Sequence, residues 1–259
     1  MRRTSPILYA HRGASLELPE NTLEAFQLAL ELGADALETD AHLTRDGHVV
    51  LSHDPSGQRM AGVPRAICDA TLEEVRSWDV ARNFTPRGDR RVRLERHAGS
   101  YRIPTFDEAL ATFPDAVFNV DAKPVSPDMI PALLRCIRAA HAVDRVRIAS
   151  FSSRNLKRAR TLGYEGETGL ATSELARIML APRFALDWVR PAGDAAQVPR
   201  SAYGISFASQ SAIDRLHRVG VRVDFWTIDD PAEAKRLFAM GADGVMTDDI
   251  RTMAAAFGR

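Results

Sequence analysis

Three short apolar runs near the start of the chain, Ile7-Leu8-Tyr9-Ala10, Ala36-Leu37 and Val49-Val50-Leu51, lead into His11-Arg12, Glu38-Thr39-Asp40 and His53-Asp54. Each run is short enough to be a buried strand, which places the polar groups at or near strand ends. If those ends face one way, two imidazoles, a guanidinium and two carboxylates converge on one surface.

The rest of the chain repeats the alternation. Candidate strands at 7–10, 36–40, 49–53, 117–122, 146–150, 167–171, 195–198, 222–227 and 244–247 are separated by helical patterns that include 106–113, 128–141, 153–162, 173–181, 210–219 and 231–240. Strands alternating with helices predict an α/β fold with a parallel sheet covered by helices, and 259 residues suit one TIM (β/α)8 barrel spanning 1–259. Nine candidate strands compete for eight places. The link from Asp40 to Val49 is also shorter than the dozen or so residues a parallel crossover needs, so the geometry there stays open.

Asn21-Thr22-Leu23-Glu24 reads as a capping box with Asn21 as the cap, followed by Leu23, Phe26, Leu30 and Ala34 on one face and Gly33 as the stop. Between Asp54 and Pro104 the alternation lapses, which predicts an insertion of about 55–104 after the third strand. Thr71-Leu72-Glu73-Glu74 starts a short helix there, continuing through Val75 and Trp78. Pro86, Gly88, Gly99 and five arginines between Arg87 and Arg96 mark either a lid that selects a leaving group or a solvated excursion.

Lys+Arg and Asp+Glu balance at 34 each, which argues against a nucleic-acid partner and requires any field for an anionic substrate to be a local pocket. The apolar run before His11 is too short for a signal-peptide core or a membrane span, so the expectation is a cytoplasmic protein without an integral membrane segment. Cys68 and Cys136 stand far apart and outside metal-ligand spacing, as free thiols would.

Glu38 and Asp40 lie two apart on a strand and point to the same side, where two carboxylates repel unless a cation or proton lies between them. Oxygen ligands favour one divalent cation, Mg²⁺ or Ca²⁺, over Zn²⁺; solvated or arginine-paired carboxylates are the plainer alternative. His11 and His53 have the side chain best matched to proton transfer near neutral pH, though an isolated histidine at a strand end is more often a structural hydrogen-bonder. Arg12 and Lys123 suit phosphate oxygens, or else internal salt bridges. Asp248, near the end of the last strand, is an anchor or a site residue. His42, His48, His97, His141 and His217 lack comparable surroundings and are expected on the surface or in packing.

The chain resembles the glycerophosphodiester phosphodiesterases in Ala10-His11-Arg12-Gly13, Pro19-Glu20-Asn21-Thr22, Glu38-Thr39-Asp40, Leu43-Thr44-Arg45-Asp46-Gly47, Val50-Leu51-Ser52-His53-Asp54, Asn119-Val120-Asp121-Ala122-Lys123, Phe225-Trp226-Thr227 and Gly244-Val245-Met246-Thr247-Asp248, in family order. The resemblance implies a TIM barrel that hydrolyses a small-molecule glycerophosphodiester to glycerol 3-phosphate and an alcohol using one divalent cation. Asp121 stands where the family usually has a third metal-binding glutamate, one methylene shorter, and joins Glu38 and Asp40 as a ligand. The same resemblance implies His11 as base and His53 as acid, or the two roles exchanged, since the sequence does not say which side of the phosphorus each occupies. The attacking oxygen is either the glycerol 2-hydroxyl, through a cyclic phosphate, or water. Glu20 would orient Arg12 or bond the glycerol hydroxyls, and Trp226 would wall the glycerol carbons or pack inside the barrel. A lysophospholipase D on the same barrel, or a non-catalytic phosphodiester-binding barrel, is the alternative.

Overall fold

A computed structural model describes residues 6–86, 101–123, 126–202 and 204–259. The arginine-rich stretch between Arg87 and Arg96, and His97 with it, lies outside the described residues.

The strands are β1 (Ile7–His11), β2 (Ala36–Leu43), β3 (Val49–Leu51), β4 (Val117–Ala122), β5 (Val146–Ala149), β6 (Ala195–Val198), β7 (Ser201–Ala202), β8 (Ile205–Ser206), β9 (Arg222–Phe225) and β10 (Gly244–Thr247). Seven of them form a parallel ladder in the order β5-β4-β2-β1-β10-β9-β6. Its two edges meet through a short extended segment, where Ile148 bridges Thr168 and Gly169 bridges Ala195, both parallel. Leu170 N–H donates to Ala195 O at 2.7 Å and Gly169 N–H to Ile148 O at 2.8 Å, so the candidate strand at 167–171 acts as an eighth stave. The sheet therefore curls into a distorted TIM barrel.

The surplus candidate strand is β3, which pairs antiparallel with β2 through Ala41–Leu51, His42–Val50 and Leu43–Val49. It is a hairpin arm outside the barrel ladder, which is why the short link after Asp40 suffices: a hairpin needs only a tight turn. Gly47 takes a left-handed φ of 85°, its N–H donating to Thr44 O at 3.0 Å, while Thr44 N–H donates to His48 O at 2.9 Å.

Helices form outside the staves where the sequence supplies caps. Thr105 with Glu108 and Thr71 with Glu74 make reciprocal capping boxes before Phe106–Thr112 and Leu72–Arg76. The first helix, Leu23–Glu31, differs from expectation: its cap is Thr22, whose hydroxyl accepts from Ala25 N–H, so Asn21 is left free to turn elsewhere. Phe26, Phe106 and Phe118 pack edge to face between helices and sheet. Cys68 and Cys136 are both free thiols. Among the described residues, no helix is long and apolar enough to cross a membrane.

One layer of the barrel interior is polar. Arg147 Nη1 donates to Asp224 Oδ2 at 2.6 Å and to Tyr9 Oη at 3.0 Å, and Arg147 Nε and Nη2 reach Glu167 Oε2 at 2.9 and 2.6 Å. Asp224 is 0% exposed, so its charge depends on this guanidinium. Removing one partner of a buried pair strands the other in low dielectric. Arg147→Met is expected to lower unfolding free energy by about 3–5 kcal/mol in urea titrations. Adding Asp224→Asn to that variant should recover part of the loss. A change under about 1 kcal/mol in the single variant, the range of exposed pairs, would contradict this reading.

Candidate active site

The register sets the site. His11 at the end of β1 lies opposite Glu38 of β2, and Asp40 lies opposite Asp121 of β4. Beyond β1 the chain turns sharply, with φ of 61° at Arg12 and 82° at Gly13. A Cβ on Gly13 would come within 2.8 Å of the backbone of Ala25, so the turn is pressed against the first helix in a way only glycine allows. This sends the Arg12 guanidinium towards Asp40 Oδ2, 3.3 Å from Nε, and Glu20 Oε1, 3.3 Å from Nη1.

Asp40 gathers partners from several elements. Lys123 Nζ lies 2.9 Å from its Oδ1 and 2.7 Å from Asp121 Oδ2. Asn21, released from capping, donates Nδ2–H to Asp40 Oδ2 at 3.2 Å and accepts from Thr39 Oγ1 at 2.6 Å. Burial alone would raise the Asp40 pKa, but Lys123 and Arg12 outweigh it and hold the carboxyl below its usual range. The same burial lowers and the same carboxylates raise Lys123, whose net pKa is pushed up to about 12. Both cations foreseen for phosphate thus stand in internal ion pairs.

Glu38 and Asp121 are less well compensated. Burial, then repulsion from Asp40, raises Glu38 against the pull of His11 and Arg12; burial raises Asp121 despite Lys123. Glu38 Oε2 and Asp121 Oδ1 are buried without a hydrogen-bond partner. Hard, uncompensated oxygens of this kind suit a divalent cation in donor chemistry. Among the described residues, no group of three or more histidine, cysteine, aspartate or glutamate side chains is arranged to hold a metal as it stands. Lys123 supplies the positive charge between Asp40 and Asp121 instead.

Each imidazole is backed by a carboxylate. His11 Nδ1 lies 2.6 Å from Asp248 Oδ1, and Asp248 is itself fixed by its N–H donating to Asp229 Oδ1 at 2.8 Å and by Ser15 Oγ at 3.3 Å. Burial tends to raise Asp248, but the bond to His11 prevails and keeps its pKa low, so the carboxylate accepts and Nδ1 carries the proton. That leaves Nε2 facing Glu38 Oε2, 3.8 Å away. His53 Nδ1 lies 2.8 Å from Asp54 Oδ1, and Asp54 is likewise held low, against burial, by His53 and Arg59. The two rings differ in access: the His11 side chain is 16% exposed and that of His53 35%. His53 reaches the site because Ser52 N–H donates to Asp40 O at 2.9 Å, bringing the hairpin back to the strand ends.

Of the other histidines, His42 is a buried packing residue whose Nε2 meets His53 O at 3.3 Å, and His217 pairs with Asp243 at 2.7 Å. Trp226 is partly buried at the end of the barrel. It packs against the small cluster of Ile7, Tyr9, Ala36 and Met246, and its ring stands edge-on to Phe151 at 5.9 Å. Phe151 is 71% exposed and lies 5.7 Å from the Lys123 ammonium, so these aromatics flank the site. Asn21, Asp54, Phe151, Asp229 and Arg59 were not singled out as site residues from the sequence. For Asn21 the competing cap at Thr22 is the available signal; Phe151 carries none, since Lys123 and Trp226 are distant in sequence, and Arg59, though five residues from Asp54, is tied to the site through Glu20, 39 residues away.

The profile of the Glycerophosphoryl diester phosphodiesterase family matches residues 11–252. The chain is 30% identical over 256 residues to a glycerophosphodiester phosphodiesterase of Caldanaerobacter subterraneus subsp. tengcongensis, covering 95% of this chain and 96% of that protein. It is 31% identical over 255 residues to the "Probable glycerophosphodiester phosphodiesterase 2" of Mycobacterium tuberculosis, covering 96% and 89%. In fold it is similar to an Oleispira antarctica phosphodiesterase solved with the product sn-glycerol-3-phosphate, with a TM-score of 0.77, 23% identity, and coverage of 98% and 97%. The chain belongs to the glycerophosphoryl diester phosphodiesterase family.

The surroundings of His11 make a prediction about its titration. Burial lowers its pKa, but Glu38 and then the hydrogen bond to Asp248 more than offset this and raise it above 6.5. A raised imidazole stabilises the fold below its unfolded pKa, and that contribution is lost as pH rises through the folded value. NMR titration of EDTA-treated protein should place the His11 midpoint above 6.5 and show it falling in Asp248→Asn. An unmoved midpoint in that variant would contradict the assigned partner.

Proposed function

We propose that this member of the glycerophosphoryl diester phosphodiesterase family hydrolyses small-molecule glycerophosphodiesters to glycerol 3-phosphate and an alcohol, with His11 and His53 moving the protons. The observation that carries the reading is the pair of imidazoles, each with Nδ1 on a carboxylate, beside the cluster of Asp40, Asp121, Arg12 and Lys123. The relatives named above, and the product held by the Oleispira structure, point to the same substrate class.

His11 is the base. With Nδ1–H given to Asp248, its Nε2 lone pair takes the proton of the attacking hydroxyl as the new P–O bond forms. His53 is the acid: its Nε2–H passes to the alcohol oxygen as the old P–O bond breaks. The more exposed ring serves the group that must leave, and the base sits deeper, by Glu38. A small pocket lined by Ser52, His53, Asp54, Gly57 and Met60 opens beside the acid on the insertion side.

Arg12 and Lys123 stabilise the non-bridging oxygens. Arginine has five N–H donors and lysine three, so each keeps donors beyond those engaged by Glu20, Asp40 and Asp121. Glu20 orients Arg12, and Trp226 with Phe151 walls the carbon skeleton. A divalent cation, Mg²⁺ or Ca²⁺, bound by Glu38, Asp40 and Asp121 would supply charge to the phosphate and ease deprotonation of the nucleophile.

His11→Ala and His53→Ala should each lower kcat for glycerophosphocholine by roughly 10²–10⁴-fold, read as glycerol 3-phosphate release, with the fold retained by circular dichroism. A near-wild-type rate in either variant would remove that ring from the mechanism. Stripping with EDTA should abolish turnover, and Mg²⁺ or Ca²⁺ should restore it in the wild type but not in Glu38→Gln. Full activity in EDTA would overturn the role of the cation.

A further inference from the structure

We propose that Arg59, on the insertion, is a positioning residue that holds the acid His53 in line through Asp54. The inference rests on the acid role given to His53 above.

Arg59 lies in the short helix Gln58–Ala61 that follows β3. Its Nε donates to Asp54 Oδ2 at 2.5 Å, while Nη1 and Nη2 donate to Glu20 Oε2 and Oε1 at 3.0 and 2.6 Å. Asp54 therefore splits its oxygens, Oδ2 to the guanidinium and Oδ1 to His53 Nδ1 at 2.8 Å. The carboxylate cannot swing without breaking one of the two. A planar guanidinium gripping two carboxylates fixes orientation as well as charge, which a lysine in its place would not.

The backbone beneath Arg59 is itself anchored. Asn83 Nδ2 donates to Arg59 O at 2.9 Å, and Asn83 N–H to Met60 O at 3.1 Å, tying the short helix to later residues of the insertion. A Cβ on Gly57 would lie 2.7 Å from the Trp78 ring, so the start of this helix sits directly on that indole. Trp78 in turn belongs to the insertion's own core with Ile67, Val75, Val80 and Ala81. Exposed ion pairs between free side chains contribute little, because ordering two long side chains offsets the attraction. Here the far end of the arginine is already ordered, and the ion pairs set geometry. Arg59 thus ties the insertion to the acid.

Proton donation to an alkoxide-like leaving group requires an aligned acid; a nitrophenolate departs without one. The full-length Arg59→Met protein is expected to lose roughly 10- to 100-fold in kcat on glycerophosphocholine. On the 4-nitrophenyl ester of glycerol 3-phosphate its loss should be only a few-fold, and Arg59→Lys, which keeps the charge but not the two-carboxylate grip, should show most of the same deficit on the first substrate. Equal losses on both substrates would overturn the proposal, since a folding defect or an effect through Glu20 on Arg12 would act on both. An unchanged Arg59→Met would overturn it as well. His53→Ala measured alongside separates the two levels of inference: full activity there on glycerophosphocholine rejects the acid role itself, whereas a disabled His53→Ala with an intact Arg59→Met rejects only the role of Arg59.

Discussion

The carboxylate of Asp40, buried at 1% exposure, is the point on which the site end of the barrel depends. Four segments meet at this residue: the turn after β1 through Arg12, the segment before the first helix through Asn21, the end of β4 through Lys123, and the hairpin through Ser52 N–H on its carbonyl. A buried charge left without partners costs several kcal/mol, so these contacts are interdependent. Satisfying Asp40 brings Arg12, Lys123, Asp121 and the end of the hairpin together at one end of the barrel. Glu38 and Asp121, on the same face, each keep a buried oxygen without a hydrogen-bond partner, which is where the proposed cation would bind.

The hairpin and the insertion extend this arrangement to the second imidazole. A regular crossover after β2 would have carried the chain away from the strand ends; an antiparallel return along Leu43, His42 and Ala41 delivers His53 beside Asp40 instead. The residues that follow then pack on Trp78 and send Arg59 back to Asp54 and Glu20. Both His11 and His53 are oriented by carboxylates, but by different means. Asp248 sits at the end of a barrel stave and is held by Asp229, whereas Asp54 is steadied from outside the barrel.

Much of this was legible in the residues. Short runs rich in apolar residues mark the staves because the helix-facing side of a buried strand is apolar even where Arg147 and Asp224 make the inner layer polar, and the motifs His11-Arg12, Glu38-Thr39-Asp40 and Asp121-Ala122-Lys123 land together because their strands are neighbours in register. The run Val49–Leu51 misled as a possible stave, since apolarity reports burial and not strand direction; only the shortness of the preceding link hinted at a hairpin. Asn21 was read as a helix cap because asparagine and threonine both favour that position, and the contest was decided by Asp40, a partner 19 residues away. Asp248 could be named but not placed. Its partner His11 is 237 residues distant, and no local pattern encodes such a pairing.

The proposed reaction requires both imidazoles to face one phosphate held over the Asp40 cluster. A crystal structure of the protein with glycerol 3-phosphate and Ca²⁺ tests this most directly. The phosphate is predicted within hydrogen-bond reach of Arg12 and Lys123, with Nε2 of His11 and of His53 on opposite sides of phosphorus. A phosphate bound elsewhere on the barrel, or both rings on the same side of it, would contradict the account.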